Sequence, residues 1–284
     1  MTRNLWIGTP GRNLREIKQA AKSWDRTADL GVTEFRSLDG TVTLSRTRYT
    51  PRRTKLAWEW LEPEDARHLD GLARRITSYG PWDASQSAPG PIALIDPAAG
   101  NLLGSLQSDG RCGPSDVERG WFAASGEVTF ERWEERSIGT AKTATSAIGW
   151  RHGTWPGWPV AKDMVVSWLL PSHWATSFSA PVARLDWKDG AGGYLSSTTV
   201  AGMTATGTAP FGAAFVTPVG IPGMADAQAG FYEACLTIGE PAVAGLPGDG
   251  CPPMAVTAYT DVPSARLPYR NVSLELVEVN GAIR

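Results

Sequence analysis

Short runs of alternating apolar and polar residues dominate this chain, and they predict strands far more often than helices. Leu56, Trp58 and Trp60 fall on one face of Lys55-Leu-Ala-Trp-Glu-Trp60, the period-two pattern of a half-buried strand. Arg36–Leu44 reads as two short strands around Asp39-Gly40, a dipeptide favoured in tight hairpin turns. Further strands are predicted at Pro91–Pro97, ended by Pro97, and at Val128–Phe130, Val165–Leu170, Ala183–Trp187, Ala213–Val219 and Phe231–Ile238, the last with Tyr232, Ala234, Leu236 and Ile238 alternating with Glu233, Cys235 and Thr237. Near the end, Asn271–Leu276 alternates cleanly and Val277-Glu-Val279 continues one step out of register, which predicts a β-bulge there. One helix is predicted. Pro63 suits a first helical position and Glu64 and Asp65 suit the positive N-terminal end. Ala66, Leu69, Leu72, Ala73 and Ile76 then form the apolar stripe, Arg74 and Arg75 favour the C-terminal end, and Tyr79-Gly80-Pro81 stops it.

Spacing divides the chain into two textures. After residue 115 many short strands follow one another between Gly, Pro and Ser turns without intervening helices, the pattern of a sandwich or jelly roll. Gly245–Pro253 reads as a turn-rich linker. Charge changes at the same place: residues 1–115 carry sixteen Lys/Arg against thirteen Asp/Glu, and residues 116–250 eight against thirteen. No basic stripe stands ready to neutralise phosphates, which argues against nucleic-acid binding. No apolar run approaches a bilayer span, so membrane insertion is not expected. The N-terminal residues lack the apolar stretch of a signal peptide, against secretion by the general route. Cys112, Cys235 and Cys251 form neither a zinc pattern nor a disulfide framework and read as reduced thiols; a Cys112–Cys251 bridge is the minor alternative.

Candidate chemistry is sparse. There is no nucleophile elbow, zinc-protease helix, phosphate loop or dinucleotide fingerprint. His68 reads as a surface residue of the helix, while His152 and His173 sit among tryptophans, where packing is the simpler account. Glu127, Glu131, Glu134 and Glu135 cluster without pairing across a cleft, and Asp186 and Asp189 flank a turn. Asp226 could be a structural calcium ligand; otherwise no cofactor or metal is expected. The chain is therefore not expected to be an enzyme.

Tryptophan is the stronger signal. Eight of thirteen fall between Trp121 and Trp187. Trp168 and Trp187 lie within strand patterns and read as core. Trp150, Trp155, Trp158 and Trp174 are flanked by Gly, Pro, His and Ser, and read as loop residues. They could stack on sugar rings, close one end of a sandwich, or be buried between subunits.

Three flanking segments carry a resemblance. Leu5-Trp6-Ile7-Gly8 leads to the hairpin region ending Leu56-Ala-Trp58-Glu-Trp60; Gly90–Pro97 follows with Asn101-Leu102-Leu103; Leu267–Val279 closes the chain. Together these resemble distal or minor tail proteins of long, non-contractile-tailed phages (siphophages) of actinobacteria. The resemblance implies a mainly β protein: a β-barrel or sandwich tail-ring domain with one helix, from residues 1–115 and 251–284, to which the C-terminal strand returns. Residues 116–250 are similar to inserted carbohydrate-binding jelly rolls. It further implies a structural virion protein assembled in the host cytoplasm and located in the tail. It would form a ring, preferably hexameric, that joins the tail tube to other tail-tip proteins. Trp6, Trp58 and Trp60 are the expected subunit contacts. The alternative is a module whose main role is binding host cell-wall glycans, with Trp150, Trp155, Trp158 and Trp174 as its expected contacts.

Overall fold

The computed structural model describes residues 4–28, 32–46, 51–74, 76–77, 80–81, 91–96, 98–111 and 120–279. Strands account for 49% of the chain and helices for 9%, which makes the protein mainly β. Every strand pairing with a defined register is antiparallel, and no closed barrel is found among the described residues. The chain divides into two compact units. One comprises residues 1–16, 93–252 and 281–284, the other residues 17–92 and 253–280.

In the larger unit, one sheet runs in the order Trp121–Ser125, Ala147–Trp150, Phe215–Ile221, Val182–Lys188, Tyr194–Ala201. Two three-stranded sheets complete the sandwich: Thr204–Thr208, Val165–Leu169, Cys235–Ile238; and Val128–Trp133, Arg136–Ala141, Ala227–Gly230. Each sheet lends its inward residues to one apolar core, among them Ile148, Leu185 and Val216 from the first, Val166 and Leu236 from the second, and Ala141 and Ala229 from the third. Val182–Lys188 displays the rule most plainly, with Ala183, Leu185 and Trp187 buried between partly exposed neighbours. Of the predicted Phe231–Ile238 strand only Cys235–Ile238 forms, and all four residues are buried, so the alternation expected there is not expressed.

A buried polar residue ties distant chain segments of this unit together. Asn101 is wholly enclosed and makes four hydrogen bonds. Its amide nitrogen donates to the carbonyls of Ala234 (2.9 Å) and Leu246 (3.0 Å), and its oxygen accepts from the backbone N–H groups of Leu103 and Leu236, both at 3.1 Å. Every lone pair and proton of the amide is thereby used, which is the condition for burying it without a large desolvation cost.

The smaller unit is a four-stranded sheet, Met254–Pro263, Arg270–Glu278, Arg52–Leu61, Ser23–Ala28, so the C-terminal strand pairs with residues brought from the first quarter of the chain. The helix Pro63–Arg74 packs on the strands Met254–Pro263 and Arg270–Glu278 through Ala66, Leu69 and Leu72. Asp70 and Arg74, one turn apart, form a 2.7 Å ion pair. The helix ends one residue before the predicted Arg75, and Ile76 belongs to a two-residue strand paired with Gly80–Pro81. On the sheet's polar face Lys55 stands between Asp25 and Glu275, with its ammonium 2.8 Å from the Glu275 carboxylate. The Glu275 hydrogen bond raises the lysine pKa.

The expected bulge lies elsewhere than predicted. Arg270–Glu278 keeps its alternation through Val272, Leu274 and Leu276, and its pairing with Arg52–Leu61 is continuous from Val272 to Val277. The extra residues sit on the partners: Thr257 in one neighbouring strand, and Glu59-Trp60 opposite Asn271 in the other. A departure from alternation in one strand can thus reflect register changes that its neighbours absorb.

Candidate functional site

A hairpin forms around Asp39-Gly40, but its strands are Val32–Arg36 and Val42–Arg46, further out than predicted, and Leu38-Asp39-Gly40 in place of a two-residue turn link Ser37 to Thr41. The Ser37 and Thr41 backbones bond across the turn at 2.9 Å, and Gly40 takes the left-handed conformation that the turn needs (φ 86°). Asp39 caps the turn by accepting from the Thr41 N–H at 2.9 Å and from the Ser37 hydroxyl. Those two bonds, the serine first, lower its carboxyl pKa to about 2. The surface of the hairpin is unusual. Val32, Phe35, Leu38, Val42 and Leu44 are all exposed, Phe35 by 58% and Leu44 by 63%. Opposed residues share a face, so Val32, Val42 and Leu44 lie on one side of the ribbon and Phe35 on the other. Apolar residues therefore stand on both faces.

The same unit displays a tryptophan. Trp60 was expected on the buried face with Leu56 and Trp58, but the bulge opposite Asn271 turns it outward, and Leu61 takes the buried position. Trp60 has φ 58°, a left-handed conformation costing about 1 kcal/mol for a residue with a β-carbon. Its backbone N–H donates to the Asn271 Oδ1 at 3.1 Å, and the residue is 57% exposed. Val262, the cross-strand partner of Asn271, is exposed beside it.

Of the other expected subunit contacts, Trp58 is buried, and its indole donates to the Gln19 carbonyl at 3.2 Å. Trp6, in the larger unit, is partly buried against that unit's core.

The four expected glycan contacts separate in the same way. Trp150, Trp158 and Trp174 are not in open loops: they occupy the strands Ala147–Trp150 and Trp158–Pro159 and the helical turn Trp174–Ser177, and all three are buried. Trp158 donates to the Leu102 carbonyl (2.8 Å) and Trp174 to that of Gly230 (2.9 Å). Trp150 stands edge-on to Trp168 at 4.7 Å between ring centres and to Phe231 at 5.6 Å. In this arrangement none of the three has a ring face open to a sugar; the rings fill the sandwich that the Gly- and Pro-rich context had suggested they would flank. Trp155 alone is partly exposed, and it packs on His152 at 5.0 Å.

His152 organises that corner. Its Nδ1 accepts from the N–H groups of Thr154 (3.1 Å) and Trp155 (3.2 Å), which fixes the proton on Nε2, 3.0 Å from the Cys251 carbonyl. Burial lowers its pKa to about 4, against which the Cys251 bond acts weakly. The ring is a neutral structural element at neutral pH. His68 lies half-buried on the helix.

Among the described residues, no group of three or more His, Cys, Asp or Glu stands where it could hold a metal ion. Asp226 is 3.6 Å from the Lys142 ammonium. Cys235 and Cys251 are buried, and the expected alternative pairing of Cys251 with Cys112 lies outside the described residues. No described helix is long and apolar enough to cross a membrane. Comparison of the chain with protein-family models, with curated proteins and with solved structures found no match in any of the three.

Proposed function

We propose that the chain is a structural assembly protein: a virion component of a siphophage tail tip that forms a homo-oligomeric ring between tail tube and tip. The observation that carries this reading is the hairpin Val32–Arg46, whose five large apolar side chains are all solvent-exposed. Exposed apolar residues on both faces of a two-stranded ribbon mark surfaces that partners cover, and a paired ribbon also offers open edges for strand addition. Trp60, presented at a conformational cost in the same unit, supports the same role. A closed ring uses head-to-tail contacts, in which a projecting element of one subunit meets a different surface of the next. The resemblance of the flanking segments to tail proteins supplies the biological setting, and hexameric closure is the preferred form.

Light scattering on the eluting protein tests this, with and without purified tail tube. The expected result is a discrete oligomer for the natural chain and a monomer for the double variant Phe35→Asp/Leu44→Asp. A natural chain that stays monomeric in the presence of its tail partners overturns the reading.

A further inference from the structure

The strand Tyr194–Ala201 ends the sheet that starts at Trp121–Ser125, and among the described residues no strand pairs with its outer edge. It is eight residues long, carries no charge and no proline, and is exposed at every residue but Thr198. Such an edge presents unpaired N–H and C=O groups, and chains ordinarily guard it with charge, proline or a bulge. The other sheet edges of comparable length are guarded. Asp25 and Arg26 stand in Ser23–Ala28, Glu131 and Arg132 in Val128–Trp133, and Asp261 and Pro263 in Met254–Pro263. The one irregularity of Tyr194–Ala201, opposite Trp187-Lys188, leaves Ser196–Ala201 in regular register. Backbone direction follows from its neighbour Val182–Lys188. The Lys188 carbonyl accepts from the Ala214 N–H at 2.8 Å, on the side of Phe215–Ile221. On the other side the Pro181 carbonyl accepts from Gly202 at 2.8 Å, and the Ala183 N–H donates to the Gly202 carbonyl at 3.1 Å. Ala183, Leu185 and Trp187 therefore point their backbone groups at the edge strand, where Val200, Thr198 and Ser196 answer them. Ser197 and Thr199, in between, turn their N–H and C=O groups to the open edge.

We propose that this edge pairs with the same edge of a second copy of the chain, antiparallel about a two-fold axis at Thr198. The strand is self-complementary about that point. Ser197 and Thr199 of the two copies exchange their free N–H and C=O groups, Thr198 faces its own counterpart, Ser196 opposes Val200, and Leu195 comes up against Ala201. Self-pairing is ordinarily opposed by like charges brought face to face, and an uncharged strand brings none together. Apolar cover lies at the seam. Leu195 and Val200 are 42% and 37% exposed, and Phe211 is 86% exposed next to Gly212, where a β-carbon would stand 4.0 Å from Leu195 Cδ1. The hairpin Val32–Arg46 is the rival occupant. Its Glu34 and Arg36 pair with each other at 3.3 Å and find no charge on this strand to select it. One pair of strands is a small contact, so copies separate at micromolar concentration and meet when concentrated or held together. The contact uses no residue of the hairpin and does not rest on the ring.

Disulfide trapping of the whole chain tests this. Thr198→Cys is introduced together with Cys112→Ser; the remaining thiols, Cys235 and Cys251, are buried. Facing residues of a non-hydrogen-bonded antiparallel pair lie about 4.5 Å apart at Cα, within disulfide reach. Under mild oxidation of concentrated protein, dimer should form about tenfold faster or more than with Lys162→Cys, an exposed position of the same unit. Thr198 also accepts from the Trp187 indole at 3.0 Å, so a second pair of variants guards against a folding defect. Chains with Ser197→Cys and chains with Thr199→Cys, mixed, should cross-link chiefly to each other. Adding Ser197→Lys and Thr199→Lys to Thr198→Cys should return trapping to the Lys162→Cys rate, with melting temperature verifying the fold. Phe35→Asp/Leu44→Asp should leave trapping at 198 unchanged. Trapping no faster than at 162 in both designs, or unmoved by the two lysines, overturns the proposal. Trapping that vanishes with the hairpin substitutions assigns the edge to the hairpin and overturns it as well. Light scattering at micromolar concentration reads the ring separately, and the lysine variant should leave that mass unchanged.

Discussion

The two units weight the same side chain differently. In the larger, Trp121, Trp150, Trp158, Trp168, Trp174 and Trp187 are all fully buried and Trp133 is exposed, whereas in the smaller Trp58 is buried and Trp60, two residues on, is held in solvent by a left-handed backbone. A large, rigid, apolar ring with one polar atom serves both uses, and the surrounding backbone decides which. Where carbonyls converge on the indole N–H, the residue is core; Trp158, Trp168 and Trp174 each find one. Where a bulge breaks the alternation, the ring is displayed. Burial is also not uniformly satisfied: the indole nitrogens of Trp121 and Trp150 have no acceptor among the described residues, a cost of about 1–3 kcal/mol each that their stacked and edge-on ring contacts must offset.

This contrast can be broken by substitution. The largest effect is expected at Trp150→Ala, which should lose about 3–5 kcal/mol of unfolding free energy in denaturant titration, while Trp60→Ala loses under about 1. Equal losses at the two positions would erase the distinction. Asn101→Leu keeps the volume but strands two buried N–H groups and two carbonyls, and should cost about 3 kcal/mol or more by the same measurement.

His152 gives the contrast a pH signature. Its pKa is lowered to about 4 in the folded chain, against 6.5 when exposed, so between these values the unfolded chain binds a proton that the folded one does not. Its contribution is therefore fully present above pH 6.5 and is lost as pH falls towards 4, by about 3 kcal/mol. Melting temperature followed from pH 7 to 4 should decline less steeply in His152→Gln than in the natural chain; identical slopes would remove His152 as the cause.

The smallest effect sharpens the comparison most. Trp60→Gly relieves the left-handed strain and should stabilise the fold by up to about 1 kcal/mol while weakening assembly. A variant less stable than the natural chain, with assembly intact, would mean that Trp60 is held for its own unit's packing.

Much of the fold was legible because strands and caps are local. The Asp39-Gly40 turn, the helix beginning at Pro63 and the alternation of Ala183, Leu185 and Trp187 each follow from neighbouring residues alone. The candidate surfaces were less so. Leu56, Trp58 and Trp60 form one stripe in the sequence, yet the register against Asn271, some 210 residues away, splits it. The stacked pair His173 and Tyr232 likewise joins distant parts of the chain that no local pattern brings together.

The sequence by itself thus determined a mainly β chain, the positions of some of its strands and one helix, because side-chain period and turn chemistry act over a few residues. Beyond Trp168 and Trp187, which their strand patterns already placed in the core, tertiary structure decided which tryptophans are core and which are displayed. Burial depends on acceptors such as the Leu102 and Gly230 carbonyls, each 56 residues away, and on registers set by strands that no local pattern brings together.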